Sequence, residues 1–144
     1  NVSYNTTSFD GVDGDMMDVK GTYSVNDDMS VFAGMASVGE DGFEYLASGN
    51  MSGNWVTNGN LGQLDANEEN LYVGGSYSMG AFSLGATMNT VTNTTDDSYE
   101  RSATDIVVGY ELNDNAAISY RMVTDNNNSD VDTKYNWLTL TVTP

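Results

Sequence analysis

Three acidic groups hold the most concentrated chemistry in the chain: Asp10-Gly11-Val12-Asp13-Gly14-Asp15, Thr95-Asp96-Asp97-Ser98, and the stretch 125–132 with Asp125, Asp130 and Asp132. Carboxylate and carbonyl oxygens are what hard cations bind, so Asp10, Asp13 and Asp15 are candidates for calcium. Their spacing does not complete a calcium loop, which needs a glycine and a bidentate glutamate at fixed positions, so the pattern favours a solvated acidic loop. The neighbouring pairs Asp96/Asp97 and Glu68/Glu69 supply the residue types of a glycosidase, whose two carboxylates stand across a cleft. Adjacent residues on a strand point to opposite sides, which spoils that arrangement. His and Cys are absent from the sequence, so the common general base, the thiolate nucleophile, the usual transition-metal ligands and disulfides are all missing. The expectation is a non-enzymatic chain with no cofactor.

Four other charges matter for where they fall. In the segment 103–124, two runs of about ten residues flank Asn113-Asp114-Asn115 and read as one long hairpin. Strand side chains alternate, so Ile106, Val108, Tyr110 and Leu112 share a face while Asp105, Val107, Gly109 and Glu111 share the other. On the second run Ile118, Tyr120 and Met122 oppose Ala117, Ser119, Arg121 and Val123. Lys20 takes the same polar side of its own run, opposite Val19 and Tyr23. Charged side chains back to back with a clean apolar face suit a barrel with lipid outside and a polar inside. A narrow lumen holds side chains and little else, so Lys20 and Arg121 facing Asp105 and Glu111 are expected to form an ionic network that plugs it.

The elements that must position these residues follow from alternation. Strands are expected at residues 1–9, 16–25, 29–38, 71–79, 81–92, 102–112, 116–124 and 134–143. Tight turns at Asn26-Asp27-Asp28, Met79-Gly80 and Asn113-Asp114-Asn115 alternate with longer polar connectors at 10–15, 39–70, 93–101 and 125–133. That order places all long connectors on one side, as an eight-stranded transmembrane barrel with both ends on the other side requires. The fold class is therefore all-β, an antiparallel up-and-down transmembrane barrel of about eight strands, in one domain spanning 1–144. The lipid-facing set is Val19, Tyr23, Phe82, Leu84, Ile106, Val108, Tyr110, Ile118, Tyr120, Leu138, Leu140 and Val142. Tyr4, Tyr23, Tyr110, Tyr120 and Tyr135 fall toward strand ends, where interfacial girdles sit. The long insertion at 39–70 either extends one hairpin or hides two further strands, and its last stretch, 63–70, reads as loop.

Composition agrees. The formal charge is −17, from Lys+Arg 4 against Asp+Glu 21, which argues against nucleic acid, because phosphate binding needs clustered cations. A mean hydropathy of −0.38 would suit a solvated tail, yet Tyr 9, Phe 4 and Trp 2 are too many for one. The single proline is the last residue, so nothing interrupts the strand ladders. Asn1 reads as a processed start, and the Asn-X-Ser/Thr triplets at Asn1, Asn5, Asn50, Asn93 and Asn127 matter only in a glycosylating source.

Three segments carry a resemblance: residues 18–28 (Asp18-Val19-Lys20-Gly21-Thr22-Tyr23-Ser24-Val25-Asn26-Asp27-Asp28), residues 108–115 and the closing Trp137-Leu138-Thr139-Leu140-Thr141-Val142-Thr143-Pro144. They are similar to the small outer-membrane β-barrel proteins of Gram-negative bacteria, the OmpA/OmpX-like group of porin-superfamily type. The resemblance implies a bacterial outer-membrane location with both termini periplasmic. It also implies acidic extracellular loops, including the insertion at 39–70, in contact with lipid and lipopolysaccharide and open to a protein partner. Divalent cations would then be held diffusely between loops and lipopolysaccharide phosphates. Members of that group finish on an aromatic residue, and one placed two positions past Pro144 would continue the face of Leu138, Leu140 and Val142. The other functions weighed are a soluble secreted or cell-surface β-protein that binds a ligand or self-assembles, and a small-solute or ion pore.

Overall fold

The computed structural model describes residues 2–9, 12–42, 64–128 and 131–143. They form β1 (Val2–Phe9), β2 (Val12–Ser24), β3 (Met29–Val38), β4 (Glu68–Met79), β5 (Phe82–Asn93), β6 (Asp96–Asn113), β7 (Ala116–Asn127) and β8 (Thr133–Val142), with no helix among the described residues. Each strand pairs antiparallel with the next in one eight-stranded up-and-down sheet. Among the described residues β1 and β8 do not pair, so the sheet is open. β1 pairs only with Val12–Val19 of β2, which leaves residues 20–24 of β2 without a strand on that side.

The turns at the first end of the sheet follow from their residues. Asn26 accepts the Asp28 N–H at 2.9 Å, and Asn113 accepts the Asn115 N–H at 2.9 Å, so each asparagine closes its own turn. The β4–β5 hairpin needs only Gly80 and Ala81, with Gly80 at φ 56°, a conformation that glycine enters without cost.

At the opposite end most of the expected connectors 10–15 and 93–101 is strand, and the strands also take in parts of the other two. Phe9 pairs with Val12, Asn93 pairs with Asp96, and Asp125–Asn127 continue β7. Glu68, Glu69 and Asn70, read from sequence as loop, begin β4. Polarity misled there because a ladder is made by backbone groups, which pair regardless of the side chains they carry. Asn93 and Asp96 cap the short β5–β6 turn, accepting from Thr95 N–H at 2.9 Å and Ser98 N–H at 3.0 Å. Of the insertion, 43–63 lies outside the described residues; its flanks are tied together, Gly39 N–H donating to Asp15 C=O at 3.1 Å and Asn67 N–H to Gly39 C=O at 3.2 Å.

The two faces of the sheet exchange character along the strand axis. Near the tight turns the outward residues are apolar, as in Met29, Val31 and Met35 of β3 or Phe82, Leu84 and Met88 of β5, while the inward ones are small, as in Ser30, Ser76, Ser83 and Gly85. Toward the other end the outward residues become Ser37, Glu69, Thr90, Thr104 and Thr124, and the inward ones mix apolar side chains with buried charged and amide groups. There Met16, Ala36, Val38, Leu64, Val91 and Ala103 form the buried cluster.

Candidate functional site

The inward face carries its polar side chains in layers. At the end carrying the insertion, Glu68 is buried at 1% exposure and accepts the Asp65 N–H at 2.7 Å. The same carboxylate is paired with the Arg101 guanidinium, also buried, reaching from β6 past the intervening β5. Burial first, and then the neighbouring Glu68 carboxylate, raise the Tyr99 phenol above its ordinary range. Arg101 lies 6.0 Å from the Tyr99 ring centroid. This cluster pins the return of the insertion to the sheet, since a buried charge is tolerated only when it is paired and hydrogen-bonded.

One layer down, Tyr72 donates to Asp18 Oδ1 at 2.7 Å, linking β4 to β2 across β3. It can cross because β3 has Gly34 beneath the ring: a Cβ there would lie 2.3 Å from the phenol. Phe32 and Tyr72 meet at 6.4 Å with rings tilted 56°, and Lys20 Nζ lies 4.1 Å above Phe32. Asn70 donates to Asn89 at 3.2 Å beside them.

Nearer the tight turns, Arg121 Nε stands 3.2 Å from Asp105 Oδ1. The alignment is too poor for a hydrogen bond, and both atoms are buried without a hydrogen-bond partner. Beside this pair is a cavity of about 560 Å³ lined by Val107, Ser119, Arg121, Trp137 and Thr139. Trp137 stacks on Tyr135 at 5.9 Å, with planes 16° apart, and keeps 37% of its surface exposed.

Of the expected lumen network, the structure brings Asp105 and Arg121 together. Lys20 lies on the same face over an aromatic ring, and Glu111 is exposed at the tight-turn end, where the β6–β7 register shifts. The twelve expected lipid-facing residues all occupy the outward face; Val19, Tyr23, Leu84, Tyr110, Tyr120, Leu138, Leu140 and Val142 are exposed, and Phe82, Ile106, Val108 and Ile118 half-buried. Of the calcium candidates, Asp10 lies outside the described residues, while Asp13 and Asp15 sit on the outward side of β2. No group of three or more candidate metal ligands occurs among the described residues.

Sequence reasoning overlooked Arg101 and Tyr72, and it weighed Glu68 only beside Glu69 as a carboxylate pair and Asp125 only as part of an acidic connector, not as inward groups of the sheet. The signal was present for the pair that matters most: Tyr99, Arg101, Ala103 and Asp105 keep one parity, so the strand alternation runs on through residues assigned to a connector.

Fold and inner face together define an all-β, antiparallel up-and-down sheet whose buried side is ionic and hydroxylated over much of its length. Compared with family models, curated proteins and solved structures, the chain gives no match.

Proposed function

We propose that β1 and β8 meet to close the sheet into an eight-stranded barrel of the bacterial outer membrane, with both termini periplasmic. In this reading the protein is not an enzyme. Its apolar belt holds it in lipid and lipopolysaccharide, and its acidic far end docks a partner, with divalent cations held diffusely among its carboxylates.

The observation that carries the reading is the exposed apolar belt. Leu71 is 61% exposed, Leu138 72%, Leu140 62% and Val142 64%, on the face away from Glu68 and Asp125, each 1% exposed. Burying such a side chain is worth about 1.5–3 kcal/mol, and a continuous band left in water would forfeit that many times over. Monomeric soluble proteins rarely expose contiguous apolar patches beyond a few hundred Å². Along β6 the apolar outward positions run from Leu112 to Ile106, roughly 20 Å of strand at about 3.4 Å per residue, comparable with the belt of an outer-membrane barrel. No described helix is long and apolar enough to cross a membrane, which leaves strands as the spanning element.

The unpaired edges favour a second reading, a soluble β-protein that self-assembles by adding strands to β8 and to the free part of β2. Envelope fractionation followed by detergent gels with and without boiling separates the two. The barrel gives a heat-modifiable band in the outer-membrane fraction. A soluble species of growing size, with no heat shift, overturns it.

A further inference from the structure

The cavity on the inner face beside Arg121 has a composition that the plug role does not require. A plug is best served by filled space, whereas here a void of about 560 Å³ stands open beside the Arg121 side chain and the exposed Trp137 indole. Arg121 is the charged group among the lining residues, and a guanidinium offers five N–H donors in a fixed fork.

We propose that this cavity is a binding site for a neutral saccharide or similar polyol, with Trp137 as the stacking platform and Arg121, its charge balanced by Asp105, as the polar anchor. Each contact suits that class. A sugar hydroxyl both donates and accepts, so it can accept from the Arg121 guanidinium and donate to a neighbouring wall hydroxyl. Ser119 and Thr139 line the wall with two more hydroxyls that act either way, and Trp137 offers an exposed indole steadied by Tyr135. Aromatic surface with a few convergent polar groups is the usual make-up of a small-molecule site.

The charge pattern chooses between neutral and anionic ligands. Asp105 beside Arg121 cancels the local positive charge, and the chain as a whole carries −17, so a carboxylate or phosphate would be repelled on approach and find no net positive charge on arrival. A cationic ligand would meet Arg121. The site lies on the inner face whether that face lines a barrel or one side of an open sheet, so the inference stands apart from the membrane reading.

The test uses the full chain folded in a sugar-free amine-oxide detergent, or in buffer if it proves soluble. Trp55→Phe leaves Trp137 as the only tryptophan, and its emission is followed against glucose, maltose and N-acetylglucosamine, with benzoate as the charged comparator. The expected result is a saturable change with at least one sugar, at roughly millimolar affinity as befits a few hydrogen bonds and one stacking face, and none with benzoate. Adding Arg121→Lys, which keeps the charge but loses the planar fork, should weaken binding about tenfold or more. No saturable response to any of the three sugars, stronger binding of benzoate, or unaltered affinity in Arg121→Lys each overturns the proposal. If Arg121→Lys fails to fold, Thr139→Val serves instead, and undiminished sugar affinity in that variant overturns it equally.

Discussion

The tight-turn half of the sheet and the half that carries the insertion are built from the same strands yet obey opposite rules. In the first, Val31, Leu84 and Leu140 point outward and Ser30, Ser83 and Ser119 inward. In the second, Thr90, Thr104 and Thr124 point outward while Met16, Val38 and Val91 pack inside. Strand geometry is indifferent to the choice, since alternation supplies two faces and says nothing about which meets which surroundings. The crossover therefore records a change of environment along the strand axis rather than a change of fold. It is also why charges are buried so differently: Glu68 and Arg101 are almost fully enclosed, whereas Arg121 borders an open cavity.

The sharpest way to break the contrast is at the enclosed pair. Arg101→Met strands the Glu68 carboxylate in the buried cluster and should cost about 3–5 kcal/mol in denaturant unfolding, with most of that recovered by adding Glu68→Leu. A loss below about 1 kcal/mol, the range of exposed pairs, would mean the two halves do not differ in enclosure.

A paired substitution on the outward face tests the crossover itself. Val108→Arg lies in the belt and should lower folding into lipid vesicles by about 2–4 kcal/mol, while Thr104→Arg, two outward positions further along β6, should cost no more than about 1 kcal/mol. Equal penalties would remove the boundary between the halves.

The smallest effect concerns the solvated rim. Asp96 is held below the usual carboxylate range, first by the Ser98 hydroxyl at 2.6 Å and then by the Ser98 N–H. A carboxyl with a depressed folded-state pKa adds stability that is present above its unfolded value and is lost as pH falls through the folded one. Ser98→Ala should move the Asp96 titration upward toward its ordinary position, read by NMR. An unmoved titration would show that the hydroxyl does not govern this turn.

The belt was legible from sequence because apolar/polar alternation is strong from residues 16–25 through 134–143, and all eight strands come from that signal. The insertion-side end was not. Val12, Glu68, Asp96 and Asp125 belong to strands whose side chains are hydrophilic on the side that alternation rules expect to be greasy. The site was legible in part: the parity of Asp105 and Arg121 placed them together, and the same parity sets Glu111 on their face, but Glu111 lies at the tight-turn end of β6, where it is exposed. Trp137 was noted only as part of a closing motif. Its place opposite Arg121 is a cross-strand fact, settled by pairing between segments that a single run of sequence does not contain.

Tyr72 reaching Asp18 over Gly34 also works as a keyhole for strand alignment. Slide β4 by one residue against β3 and the phenol turns to the other side of the sheet. Slide it by two and the ring arrives over Phe32 or Ala36, where a side chain already stands. Only one alignment of three strands lets the key pass, so a single missing side chain acts as the proofreading device for the middle of the sheet.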